Sequence, residues 1–281
     1  MKKYQPTMKD VAREAGVALG TVSRVINGQQ VSKEYRQKVE EAAQRLGYQV
    51  NPYARAMKTN KTNIVAVILP ENNNPHFCAL TQCINAALTR RNYQMMLFLT
   101  DSHHEREDEC IRMVRQNKVD GIIGLTYSCV QVSEDIPFVS IDRYFGPSVP
   151  CVAADNYGGG RLAAEKLASL GCKKLVFFYE GSNIPGEVDK RGDGFTTACT
   201  LMEIPYDSVK VYNNGDSEAF RNYFRQHIRD GRPDFDGIFC STDYLAAQTC
   251  RLAAEFGLKV PEDVQIIGFD GDSKKAFIKR F

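Results

Sequence analysis

With 281 residues, 43% of them apolar and 25% charged, the sequence has the composition of a globular chain long enough for more than one core, which excludes disordered and fibrous classes. The net charge of +2 conceals a segregation: residues 1–61 hold 12 Lys and Arg against 5 Asp and Glu, and the remainder holds 24 against 29. A basic end on a mildly acidic body suits phosphate contact at that end alone, because each neutralised phosphate releases condensed counterions, although a solvated basic face has the same composition.

The N-terminal stretch MKKYQPTMKD lacks an apolar signal core, and apolar runs such as Ile64–Leu69 are too short to span a bilayer, so a cytoplasmic protein without membrane segments is expected. The nine cysteines are odd in number and contain no CxxC pair, and several (Cys129, Cys151, Cys240) have apolar neighbours. Reduced core residues are expected, not a disulfide framework or a zinc site.

Thr7 to Asn27 organises the chain. Thr7 is placed as an N-cap with Asp10 three residues on, as in a capping box, and Val11, Ala12 and Ala15 form one apolar stripe before Gly16 breaks the helix. A second helix from Leu19 to Ile26 buries Val22, Val25 and Ile26 and leaves Leu19, Gly20, Thr21 and Arg24 outward. This pattern predicts a helix-turn-helix whose second helix lies in a DNA major groove. A third helix starts at the N-cap Ser32, carries Tyr35, Val39, Ala42, Ala43 and Leu46 on one face, and stops at Gly47. Asn51–Lys58 then combines an Asn cap, Pro at the first helical position and good helix formers, in barely two turns. So short a helix forms only when something holds it; a plain linker fits the composition equally, and Met57 between cations favours minor-groove insertion.

From Asn63 the period changes. Strands are predicted at Ile64–Leu69, Met95–Thr100, Gly121–Thr126, Phe138–Asp142, Val152–Asp155, Leu175–Tyr179, Gly237–Ser241 and Val264–Asp270. Helices are predicted near 77–91, 105–117, 157–170, 191–203, 217–230 and 243–256. This alternation means parallel sheets flanked by helices, with binding residues at the carboxyl ends of strands: Asn72 to Phe77, Thr126, Tyr127, Asp142, Arg143, Asp155, Asn156 and Asp270. Gly158-Gly159-Gly160 opens a helix after a strand but fails the GxGxxG spacing and lacks a P-loop lysine, so a helix start set by Asp155 and Asn156 is expected. His103 and His104 beside Glu105, Glu107 and Asp108 have no second cluster to complete a metal site, and His76 and His227 are isolated. With no GxSxG elbow, P-loop or acid–base pair, neither enzyme activity nor a cofactor is expected.

The segments KDVAREAGV, TVSRVIN, GYQVNPYARAMK, PENNNPHF, VDGII, DNYGGGRLAAEKLASLG, RGDGF and VPEDVQIIGFD, in this order and spacing, resemble the LacI/GalR family of bacterial transcription regulators along the whole chain. The resemblance implies a headpiece (1–50), a hinge helix and linker (51–61), and an effector-binding and dimerisation body (62–281). That body would have two lobes like periplasmic sugar-binding proteins. It implies a homodimer on double-stranded operator DNA, with a small effector in the interlobe cleft altering operator affinity.

Carried over to this sequence, Leu19, Gly20, Thr21 and Arg24 meet the major groove. Arg24 is suited to bidentate reading of guanine and Leu19 to apolar contact, while Thr21, Ser23 and Asn27 touch phosphates. The chain departs from the family where Ala18 replaces the usual Ser, removing a cap, and where Gly20 replaces a polar residue. Ala54, Met57 and Lys58 fall on the hinge, with Met57 in place of the usual Leu wedge. The effector positions are His76 and Phe77 of the NNNPHF turn, Tyr127, Arg191 of RGDGF and Asp270. An Arg fork and an Asp acceptor suit hydroxyl or phosphate groups, and the rings suit an apolar ligand face. Structural roles remain open for each: a capped turn for Asp270, a surface pair for Arg191, core for Phe77. A sugar or sugar derivative is the expected effector, with a purine as rival; a solute-binding protein without a transcriptional role is the alternative function. The family also continues past IGFDGDSKKAFIKRF through elements that complete both lobes, so an incomplete body is expected.

Overall fold

A computed structural model describes residues 6–49, 61–71, 74–101, 103–126, 135–181, 186–212 and 218–271. The chain divides into two compact units, Met1–Thr62 and Asn63–Phe281.

In the first unit, helix α1 (Met8–Ala15) is held at its start by the Asp10 carboxylate, which accepts from the Thr7 backbone N–H at 2.9 Å and from its hydroxyl at 2.7 Å. Gly16, at φ 63°, takes the left-handed turn that a side chain would resist, and α2 (Leu19–Ile26) follows at once. Helix α3 (Lys33–Leu46) begins where Ser32 Oγ accepts the Tyr35 N–H and ends at Gly47, also left-handed. Val11, Val22, Val25, Val39 and Ala42 form the buried core, with Ile26 and Leu46 packed on it. Tyr35, expected on the apolar face, is instead 48% exposed. The core engages α3 only from Val39 onward, so a ring on the first turn stands in solvent.

The second unit holds two parallel sheets. Strands β1 (Ile64–Leu69), β2 (Gln94–Leu99), β3 (Gly121–Gly124), β4 (Phe138–Ile141) and β5 (Cys151–Val152) pair in the order β2-β1-β3-β4-β5. Helices α4 (Pro75–Thr89) and α5 (His104–Gln116) connect them. Val67, Leu69, Leu125 and Ile141 fill one face; Ala66, Ile68, Ile111, Val114 and Ile122 fill the other.

The chain crosses into the second lobe before α6 (Asn156–Ser169), which leads through β6 (Leu175–Gly181), α7 (Lys190–Leu201), β7 (Tyr206–Tyr212) and α8 (Glu218–His227). A small hairpin, β8 (Ile228–Arg229) and β9 (Arg232–Pro233), precedes β10 (Gly237–Cys240), α9 (Asp243–Glu255) and β11 (Gln265–Ile267). Its sheet runs β11-β10-β6-β7. Adjacent strand residues point to opposite faces, so Phe177 packs with Phe195, Phe239 and Leu167, while Phe178 packs with Phe220, Phe224 and Phe235.

Two further expectations are corrected. Strand β7 was not predicted: YDSVKVY is an edge strand whose interleaved polar residues dilute the apolar signal. The helix predicted to reach 230 ends at His227, because Asp230 and Gly231, both at positive φ, form the tight turn of the hairpin. No helix among the described residues is long and apolar enough to cross a membrane, and their eight cysteines are free.

Candidate functional site: a DNA-reading helix and an interlobe cleft

On α2 the buried Val22 and Val25 turn Leu19, Gly20 and Arg24 outward, with Thr21 and Ser23 half-buried beside them. Leu19 is 43% exposed, and the Arg24 guanidinium makes no hydrogen bond or ion pair with any described residue. Space is open where a Cβ on Gly20 would stand. Asn27 closes the helix by donating Nδ2 to the Ser23 carbonyl at 2.7 Å, which spends one of the donors expected to reach a phosphate. Ala18, as anticipated, offers no side-chain cap, leaving the amino end of α2 to backbone groups alone. Ala54, Met57 and Lys58 lie outside the described residues.

In the second unit the carboxyl ends of strands from both sheets converge on a cleft of about 120 Å³ lined by residues that include His76, Phe77, Asp142, Arg143, Glu180, Arg191, Ser241 and Asp270. One wall is the start of α4, where Asn74 Oδ1 accepts the His76 N–H at 2.9 Å, Pro75 takes the first helical turn, and the His76 and Phe77 rings stand edge-on at 5.6 Å. The loop after β4 is pinned by Ser140 Oγ, which donates to the Arg143 carbonyl at 2.6 Å. Asp142 there sits at φ 54°, and its carbonyl accepts the Glu187 N–H of the other lobe at 2.9 Å.

Arg191, buried at the first turn of α7, organises the opposite wall. Its Nε donates to Asn156 Oδ1 at 2.8 Å, its Nη1 donates to the Ser241 carbonyl, and Nη1 lies 3.8 Å from Asp270 Oδ1. The guanidinium stacks on Phe269 with 3.6 Å from carbon to ring centroid. Burial draws its pKa down while Asp270, Asp142 and Asp243 pull it back. Asp270 Oδ2 accepts the Asp243 N–H at the start of α9 at 3.0 Å. The Asp142 carboxyl is pushed up by burial, against the pull of Arg191, His76 and Arg143.

The glycine run at 158–160 is explained by packing. Asp155 Oδ1 caps α6 by accepting the Gly158 N–H at 2.8 Å, and a Cβ on Gly160 would collide with the Arg191 backbone carbonyl, so α6 and α7 touch backbone to backbone there. His103 precedes α5, and among the described residues no three His, Cys, Asp or Glu are grouped to hold a metal.

Of the residues predicted for the effector, His76, Phe77, Arg191 and Asp270 meet in this cleft; Tyr127 lies outside the described residues. The sequence reading missed Glu180, Ser241 and Thr242. Each directly follows or closes an apolar strand, so the strand-end rule that gave Asp142 would have found them.

A helix-turn-helix unit and a two-lobed α/β body with a polar cleft define a class of DNA-binding proteins that respond to a small ligand. Residues 7–51 match the family described as bacterial regulatory proteins, lacI family, and residues 62–276 match periplasmic binding proteins and the sugar-binding domain of the LacI family. The chain is 33% identical over 270 residues to the ribose operon repressor of Halalkalibacterium halodurans, covering 94% of this chain and 80% of that protein. It is 31% identical over 279 residues to the sucrose operon repressor of Pediococcus pentosaceus, covering 95% and 82%. The Lac repressor dimer bound to operator and the anti-inducer ONPF, at 21% identity, shares the fold with a TM-score of 0.79 over 98% of this chain and 86% of that one.

The protein therefore belongs to the LacI family. It is a DNA-binding transcription regulator and not an enzyme, and the match over residues 7–51 rules against a protein that only captures solute.

Proposed function

We propose that this regulator is a cytoplasmic repressor that binds a pseudopalindromic operator as a homodimer and responds to a sugar or sugar derivative in its cleft. The reading assigns 1–50 to the headpiece, 51–61 to the hinge and linker, and 62–281 to the effector body. In the major groove Arg24 reads guanine and Leu19, Gly20 and Thr21 follow the base edges. Thr21, Ser23 and Asn27 fix register on phosphates, and Ala54, Met57 and Lys58 act at the minor groove. His76, Phe77, Tyr127, Arg191 and Asp270 receive the effector.

The observation that carries the reading is the free guanidinium of Arg24 on an otherwise well-packed α2, an exposed cation aimed at no protein group among the described residues. The named relatives are repressors of ribose and sucrose operons, which favours a sugar over a purine as effector. The test is to recover duplexes from a random library and titrate them by fluorescence anisotropy across salt. Arg24→Ala is expected to lose about 1–3 kcal/mol of preference for the recovered site while keeping the salt-dependent background. Equal preference in the wild type and the variant would overturn the assignment of Arg24.

A further inference from the structure

Among the described residues the cleft is walled by three carboxyl groups, Asp142, Glu180 and Asp270, and two guanidiniums, Arg143 and Arg191. A phosphate monoester is best gripped by a guanidinium edge that presents two parallel N–H donors. Arg191 does not offer one: Nε is spent on Asn156, Nη1 on the Ser241 carbonyl and Asp270, and the planar face on Phe269. Arg143 holds its Nη1 close to the Gly186 backbone, and its Nε is buried from solvent without a hydrogen-bond partner among the described residues, so its Nε edge does not face the cleft as a paired donor.

The carboxylates differ among themselves. Asp270 accepts the Asp243 N–H, and Asp142 faces Asn156, Arg191, His76 and Arg143. Glu180, which lies next to the end of β6, is half-buried, and its carboxylate forms no hydrogen bond or ion pair with a described residue. Burial, and then Glu71 beyond the end of β1 in the other lobe, push its pKa up. A carboxylate withdrawn from water without a donor is destabilised until a donor arrives. Ligand hydroxyls supply donors. A phosphate near −2 supplies only acceptors and meets like charge.

We propose that the effector is an unphosphorylated saccharide that donates hydroxyl hydrogen bonds to Glu180, and that Glu180 is the residue that turns phosphorylated sugars away. The proposal rests on the sugar-effector reading above. Its consequence is that the regulator senses the free sugar before any kinase has acted on it.

The test is isothermal titration of the full chain with D-ribose, sucrose and D-glucose, each beside its phosphorylated counterpart (ribose 5-phosphate, sucrose 6-phosphate, glucose 6-phosphate). At least one free sugar is expected to bind, and its phosphate to bind roughly 10- to 100-fold more weakly or not at all. Glu180→Gln, with an unchanged thermal melt, is expected to weaken the free sugar about tenfold and to narrow the gap to its phosphate. A phosphorylated member that binds as tightly as its free form, or binds alone, sinks this proposal while leaving the sugar reading intact. So does an unaltered preference in Glu180→Gln. Failure of all six to bind defeats the sugar reading and the proposal with it. The wild-type comparison decides selectivity by itself should the variant fail to fold.

Discussion

Gly160→Ala tests whether the α6–α7 contact sets the cleft. A Cβ on Gly160 would lie about 1 Å inside the 3.0 Å closest approach of real Cβ atoms, and the atom it meets is the Arg191 backbone carbonyl oxygen, which cannot swing aside as a side chain could. Helix α7 must retreat at the very residue whose Nε bonds Asn156 on α6 at 2.8 Å. Overpacking of this kind costs about 3 kcal/mol at the upper end of its usual range. Replacing glycine inside a helix returns about 1 kcal/mol, leaving a net loss of about 2 kcal/mol. For a unit of this size that is a fall in Tm of about 4–8 °C. A 1 Å shift also carries the Arg191–Asn156 bond beyond hydrogen-bonding range, so sugar affinity should drop by about tenfold or more. Scanning fluorimetry and titration with whichever sugar binds the wild type measure both. Unchanged Tm and unchanged affinity would refute the claim that backbone contact between these helices positions Arg191.

The other consequences are smaller. Ala18→Ser restores an acceptor at the start of α2 and should stabilise that helix by about 1 kcal/mol, seen as slower amide exchange in residues 19–26; no slowing would mean the backbone alone already satisfies that end. Tyr223→Phe removes the hydroxyl that donates to Asp207 Oδ2 at 2.7 Å and should cost about 1 kcal/mol in urea unfolding at neutral pH. Burial would raise the Asp207 carboxyl, but the bonds from Tyr223 and Lys174 hold it below its ordinary value. Its stabilisation is therefore present at neutral pH and lost as pH falls through the lowered folded value. The acid-side loss should shrink in Tyr223→Phe, and an identical pH profile would show that the pair carries no such linkage.

What the sequence made legible follows from how far each signal reaches along the chain. The three headpiece helices are bounded by residues that act locally: Thr7 with Asp10, Gly16, Ser32 and Gly47 each stop or start a helix within one turn of themselves. The interior strands are legible because burial on both faces makes them continuous apolar runs, as at Ile64–Leu69. Strand β7 escapes that rule because it is an edge, and Tyr35 escapes the helical one because a stripe says which face is apolar, not where the neighbouring core ends. The cleft is the opposite case. Arg191 came from resemblance to a family, and although Asp270 closes a predicted strand, no spacing rule joins the start of α7 to the residue beyond β11; only the order β11-β10-β6 brings the ends of those strands to one side of the second lobe.

Gly160 shows the same limit in reverse. In sequence it is one of three glycines at a helix start, a local fact, and the reason that it has no side chain lies across the gap in α7. A residue required to be absent leaves no mark in hydrophobic periodicity. Glu180 is its counterpart, a charge beside a strand end whose meaning depends on what every neighbouring cation is already bound to. Sequence patterns report what each element buries, whereas specificity in this cleft depends on which donors and acceptors remain unspent after the lobes have folded. Ligand preference should therefore move with Glu180 even when the fold, read by its melt, does not, whereas a change in the α6–α7 spacing moves both.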